Sequence, residues 1–190
     1  MELILARHAQ TPANEQRQFC GKIDPPLSPE GEAEARRSAQ VLGGHFDLVI
    51  TSGMKRTQQT GSILAPDART EDWPCLREMD FGDFEGLTAE NIESAMPQEW
   101  ARYIADPLKY TFPNGGNAGQ YILRAEEDVR RIACVSVKRM LVVSHKGWIA
   151  AALSTLLHGD AAHMFHYDIR PAGFAKLSVT DGYAVLKQLY

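Results

Sequence analysis

The chain has 190 residues, of which 44% are apolar and 23% charged, with a formal net charge of -4. This is ordinary globular composition for one domain that buries its own core, and it excludes a disordered chain and a strongly basic nucleic-acid binder. No apolar run approaches the ~18 residues of a membrane span, and no basic, cleavable leader follows Met1.

Leu3-Ile4-Leu5-Ala6 reads as a short buried strand that stops at Arg7-His8. Ser28 and Pro29 suit the cap and first position of a helix that carries Ala35, Ala39 and Leu42 on one face and ends at Gly43-Gly44. Asp47-Leu48-Val49-Ile50 is a second buried strand, ending at Thr51-Ser52-Gly53, and a helix with Met54, Thr57 and Ile63-Leu64 follows. The middle, from Pro66 to Asn117, is less regular; one helix is predicted within Thr88–Tyr103 and a loop at Pro113–Gly116. Arg124–Val137 reads as helix, with Cys134–Val137 also compatible with strand. Met140–Val143 is a third buried strand, ending at Ser144-His145, and an amphipathic helix follows with Ile149, Ala152, Leu153, Leu156 and Leu157. The tail is predicted to be a hairpin about Asp181-Gly182. Strands alternating with helices predict an α/β fold, a three-layer α/β/α sandwich on a mainly parallel sheet, in which ligands bind beyond the carboxyl ends of the strands.

Polar clusters stand at those ends: Arg7-His8, then Thr51-Ser52 with Arg56 one turn into the next helix, then Ser144-His145. Two like charges ~4 Å apart repel by about 4 kcal/mol at an effective dielectric of 20, so converging cations call for an anion between them. A phosphate monoester, with its charge of about -1.5 to -2 and its acceptor oxygens, fits arginine forks. A neutral imidazole, kept so by neighbouring cations and held at one nitrogen by a hydrogen bond to backbone, can attack phosphorus and form a phosphohistidine. No HExxH, strand-end DxD or P-loop occurs, and no metal or cofactor is expected. The leaving alkoxide needs a proton, and a carboxyl beside apolar rings and a bound phosphate suits that task. The turn-rich stretch Leu76–Gly86 offers Glu78, Asp80, Asp83 and Glu85, and spacing alone does not choose among them.

The segment LARHAQT (Leu5–Thr11) resembles the RHGxT phosphate-binding signature of the histidine phosphatase superfamily, the phosphoglycerate mutase-like family. In the family's order follow PLSPEGEAEA (Pro26–Ala35), ITSGMKRTQQT (Ile50–Thr60), LREMDFGDFEGLT (Leu76–Thr88) and VVSHKGWI (Val142–Ile149), so the likeness covers nearly the whole chain. The resemblance implies a phosphoglycerate mutase-like fold, His8 as the phosphorylated nucleophile and Glu78 as the general acid. Arg7, Asn14, Arg56 and His145 become phosphate ligands, Thr11 a support behind His8, and the backbone at Lys146 a further N–H donor. Ala9 departs from the usual glycine, Gln10 from a common glutamate, and Asn117-Ala118 from a Glu-Ser pair; Lys146, where a small residue is frequent, is read as facing solvent.

The implied activity is metal-independent hydrolysis of a small phosphomonoester such as α-ribazole 5′-phosphate or a sugar phosphate. The alternatives are a mutase-type phosphotransferase, a low-turnover binder of phosphorylated ligands, and a metal site made from His8 and His145. Residues 66–117, with Trp73, Trp100, Tyr103, Tyr110 and Phe112, are expected to form a lid that sets the substrate, or else to pack as core. The expected partner is a phosphorylated small molecule, with neither nucleic acid nor membrane, and a homodimer is left open. Cys20, Cys75 and Cys134 are odd in number without CxxC spacing, as in a cytoplasmic protein with reduced thiols.

Overall fold

Leu3, Ile4, Leu5 and Ala6 form the fully buried centre of β1 (Glu2–Arg7) in the computed structural model of residues 1–190. A short helix α1 (Pro12–Glu15) follows, then α2 (Pro29–Leu42), β2 (Leu48–Thr51), α3 (Lys55–Leu64) and the edge strand β3 (Thr70–Asp72). Helices α4 (Ala89–Ala95), α5 (Pro97–Ala105) and α6 (Ala118–Ala133) lead to β4 (Arg139–Ser144) and α7 (Lys146–His158), and the chain closes with β5 (Phe174–Thr180) and β6 (Tyr183–Leu189). The strands make one six-stranded sheet in the order β3-β2-β4-β1-β5-β6. The first four run parallel, and β5 and β6 add an antiparallel hairpin beside β1.

Alternation along the strands divides the core between the two faces, as the period of two requires. Leu3, Leu5, Ile50, Met140 and Val142 join the cluster that includes Val129 and Ile132 of α6 and Ile149 and Leu153 of α7. Ile4, Ala6, Val49, Leu141 and Val143 pack on the other side with Leu42 of α2 and Leu64 of α3. The expected three layers and mainly parallel sheet are therefore present. No helix is long and apolar enough to cross a membrane.

Three boundaries differ from expectation. The single helix expected within Thr88–Tyr103 is two, because Pro97 cannot donate to a continuing helix and Met96 between them is not helical (φ -135, ψ 56). Helix α6 begins at Ala118, ahead of Arg124, because Asn117 caps it by accepting the Gln120 N–H at 3.0 Å. It ends at Ala133, and Cys134–Val137 is neither helix nor strand. The departure at Asn117-Ala118 thus has a local function, the Asn117 amide also donating to Thr111 Oγ1 at 2.7 Å. The short, polar β3 carries no apolar alternation and is absent from the sequence reading.

Candidate active site

Parallel pairing sets Arg7 opposite Ser144 and Val143 opposite Thr51, so the carboxyl ends of β1, β4 and β2 lie side by side. The chain leaving β1 turns at His8, whose N–H donates to the Ser144 carbonyl at 2.9 Å. The His8 ring is 5.2 Å from the His145 ring, centroid to centroid. His8 Nδ1 donates to the Ala9 carbonyl at 2.8 Å. A carbonyl can only accept, so the ring proton sits on Nδ1 and the lone pair on Nε2, which has no hydrogen bond within the chain. This is the backbone support the chemistry calls for. Thr60 fixes the next residue: its Oγ1 accepts the Ala9 N–H at 3.0 Å and donates to the Arg56 carbonyl at 2.7 Å. Ala9 packs fully buried with Leu27, Ala35 and Ala172, so its methyl group is accommodated where glycine was expected.

Arg56 is 0% exposed. Its guanidinium donates to the carbonyls of Ile23 and Gly21, each at 2.8 Å, and to Asp24 Oδ1 at 3.3 Å. The loop that supplies those acceptors is latched from its other side by Glu85, whose carboxylate accepts the N–H groups of Gly21, Lys22, Ile23 and Phe81. A Cβ at Gly21 would lie 1.7 Å from the Met79 carbonyl, so this approach demands glycine. Arg7 donates through Nη1 to the Ile169 carbonyl at 2.9 Å.

Three buried nitrogens here lack a partner: Arg7 Nε, Arg56 Nε and His145 Nδ1. Buried polar atoms are nearly always satisfied, so the two guanidinium donors mark a place built for acceptor oxygens. Both histidines are held well below the usual imidazole range. For His8 burial is the main cause, followed by the charges of Arg56 and Arg7; for His145 it is burial, then His8, Arg56, Arg7 and Arg77. His8 is therefore neutral at neutral pH, as a nucleophile must be.

A hydroxyl chain fixes the His145 tautomer. Thr57 Oγ1 donates to the Met54 carbonyl at 2.8 Å, so Ser52 Oγ must donate to Thr57, at 3.0 Å. Ser52 can then only accept from His145 Nε2, at 2.9 Å. In neutral His145 the unpartnered Nδ1 is thus the lone-pair nitrogen, and it becomes a donor only when the ring takes a second proton.

The four carboxylates left open by spacing occupy different surroundings. Glu85 is consumed by its latch. Asp83 accepts from the Asn114 amide at 3.1 Å, and Asp80 pairs with Lys22 at 3.5 Å and caps the Gly82 N–H. Glu78 stands at the amino end of α7, where Gly147 N–H donates to its Oε2 at 3.2 Å, and within the electrostatic reach of Arg7. Its Oε1 accepts from Tyr121 Oη at 2.5 Å and from the Met79 N–H at 3.1 Å. A Cβ on Gly147 would fall 2.9 Å from Glu78 Oε1, so any other residue there would push the carboxylate aside.

Two cavities meet at Glu78, Met79 and Tyr121. One, of about 490 Å³, is largely apolar, with Phe81, Tyr103 and Phe112 in its wall. The other, of about 540 Å³, is polar and bordered by Lys22, Arg77 and Arg124. Neither is lined by His8, Arg7, Arg56 or His145, of which all but Arg7 are buried. Tyr103 and Phe112 also belong to an edge-to-face cluster with Phe19, Phe84 and Tyr110, so these rings are both core and cavity wall.

Asn14 sits in α1, where its Oδ1 accepts from Thr11 N–H and Thr11 Oγ1 at 3.1 and 3.0 Å while Thr11, fully buried, caps the helix. Lys146 opens α7, where the first N–H groups lack intrahelical acceptors. Its side chain was expected to face solvent; it is half exposed but paired with Asp168 at 2.7 Å. Tyr121, Thr60 and the Ser52–Thr57 chain are supports that the sequence reading did not single out. Ser52, Thr57 and Thr60 all stand in the segment Ile50–Thr60, Ser52 at a strand end, whereas Tyr121 carried no such signal.

The family model for the histidine phosphatase superfamily (branch 1) matches residues 3–190. The chain is 27% identical over 193 residues to the adenosylcobalamin/alpha-ribazole phosphatase of Salmonella typhimurium, covering 100% of this chain and 96% of that one. It is 27% identical over 195 residues to phosphoserine phosphatase 1 of Hydrogenobacter thermophilus, covering 100% and 92%. Among solved structures, the alpha-ribazole phosphatase of Shigella flexneri superposes with a TM-score of 0.91 at 25% identity, covering 100% of this chain and 96% of the other.

Proposed function

The chain belongs to the histidine phosphatase superfamily, branch 1, and from that premise we propose that it hydrolyses a small phosphomonoester through a phosphohistidine formed on His8. The observation that carries this reading is the group of unpartnered nitrogens, Arg7 Nε, Arg56 Nε and His145 Nδ1, beside a His8 ring whose Nδ1 is tied to backbone.

The His8 Nε2 lone pair attacks phosphorus as the P–O bond to the leaving group breaks, and Glu78 gives its proton to the departing oxygen. Water then attacks the phosphohistidine and passes a proton to Glu78; the P–N bond breaks, the lone pair returns to His8 and phosphate leaves. Arg7, Arg56 and His145 bind the equatorial oxygens, and Asn14 adds its amide N–H groups. The reading needs no metal, and turnover is expected to survive chelation.

The aromatic wall of the apolar cavity favours an alcohol that carries a flat ring. Residues 66–117 supply Phe81, Tyr103 and Phe112 to that wall and so act as the specificity segment. Of the substrates its relatives suggest, α-ribazole 5′-phosphate fits this wall better than phosphoserine. In a steady-state panel kcat/KM for α-ribazole 5′-phosphate is expected to exceed that for phosphoserine or a sugar phosphate by about tenfold or more, since burying a ring face contributes a few kcal/mol. The reverse order places the specificity in the polar cavity.

The His145 tautomer gives a pH dependence. His145 is neutral when free, and it must gain a proton on Nδ1 to donate to an anion. Anion binding therefore takes up a proton, and affinity rises as pH falls. Sulfate, whose charge is constant in this range, is expected to inhibit up to about tenfold more strongly per pH unit between pH 8 and 6. A His145→Gln variant should lose most of this slope, and an unaltered slope assigns the proton to another group.

A further inference from the structure

We propose that Tyr121 is a positioning residue for Glu78: its hydroxyl occupies one carboxylate oxygen and so decides that the other carries the proton. The inference rests on the reading of Glu78 as proton donor and adds to it a residue that no family motif quoted above contains.

The distribution of donors is unequal. Glu78 Oε1 receives both the Tyr121 hydroxyl at 2.5 Å and the Met79 N–H at 3.1 Å. Oε2 receives only the Gly147 N–H at 3.2 Å. A carboxyl proton placed on Oε1 would oppose two donors, whereas on Oε2 it opposes one long contact. Protonated Glu78 therefore carries its hydrogen on Oε2, and the hydroxyl bond prevents the carboxyl from rotating to exchange the two oxygens. Tyr121 is well placed to hold this setting. It is buried, it projects from α6 to the seam where both cavities meet, and its hydroxyl proton is held well above the usual phenol range, by burial first and by Glu78 second. It stays a donor throughout the working pH range.

The other charged and titratable groups facing Glu78 are Arg7 from β1, Arg124 from α6, Lys146 from α7, Asp168 beyond it, and Cys20, Lys22, Arg77 and Asp80 from the flanking loops. They act through their fields alone, because the only hydrogen bonds to the carboxylate are the three named. Removing the Tyr121 hydroxyl leaves those fields in place and changes one bond.

The hydroxyl donates more strongly to the carboxylate than to the acid, so its loss favours the protonated form. In Tyr121→Phe the basic limb of the kcat profile is expected to move to higher pH. The ratio of kcat for p-nitrophenyl phosphate to kcat for an alkyl phosphate is expected to rise about tenfold, because the aryl leaving group departs without a well-placed proton. Replacement of Tyr121 by a ring-fluorinated tyrosine, a stronger donor of nearly the same shape, should move the limb the opposite way; it covers the case in which Tyr121→Phe fails to fold. Equal losses on the two substrates with the limb unmoved in either variant would mean that Tyr121 only packs, and overturn the proposal. Glu78→Gln separates the two levels: if it changes the substrate ratio while the Tyr121 variants do not, the positioning role alone fails, and if it leaves the ratio unchanged, the proton-donor reading itself fails.

Discussion

His8→Ala loses turnover by about 10⁴-fold or more, which is roughly 5 kcal/mol of barrier, and keeps its fold. The loss is this large because no neighbouring group can replace the nucleophile. His145 has its lone pair on Nδ1, but that nitrogen takes up a proton when the phosphate binds, and the unpartnered nitrogens of Arg7 and Arg56 are donors without a lone pair to attack with. The fold survives because the removed ring makes a single hydrogen bond, to Ala9, while the backbone of residue 8 stays paired with Ser144. Rapid quench with 32P-labelled substrate checks the assignment directly: the wild type retains acid-labile, alkali-stable label on the protein and the variant retains none. Turnover in His8→Ala within tenfold of wild type, or label that persists in it, removes His8 as the site of phosphoryl transfer.

Glu78→Gln is the second large effect, and it depends on the leaving group. An amide cannot supply the proton, so alkyl phosphates are expected to slow by about 10²- to 10³-fold, the usual range for general acid catalysis. An aryl phosphate with a good leaving group should slow by about tenfold, a loss that reflects the second step, in which water must be deprotonated. The amide keeps the shape, and its single oxygen can still accept from Tyr121 and Met79 while only the long Gly147 contact loses its acceptor, so binding of sulfate should change little. A uniform loss across leaving groups assigns Glu78 to binding.

The frame of the molecule is legible because burial on both faces of a parallel sheet leaves continuous apolar runs: Leu3–Ala6, Leu48–Ile50 and Met140–Val143. The groups at the ends of those runs were found for the same reason. What the sequence hides is how loops share their polar atoms. Nothing in the spacing of Glu78, Asp80, Asp83 and Glu85 says that Glu85 takes four backbone N–H groups or that Asp83 meets Asn114, and the family resemblance alone singled out Glu78. Tyr121 looks like any aromatic residue on the buried face of a helix until its hydroxyl is seen against Glu78. β3 escapes because Thr70-Glu71-Asp72 belongs to an edge, where pairing comes from backbone and the side chains need not be apolar. The break at Pro97 was there to be read.

β4 lies between β1 and β2, which share no edge of their own. A ribosome therefore releases the first histidine, both guanidinium groups and the acidic loop long before they can cooperate. The nascent chain carries its chemistry unassembled until β4 threads into the gap, and only then do the separated tips become neighbours. Hydrolysis in this sense belongs to the sheet with β4 in place and to no shorter stretch of the chain.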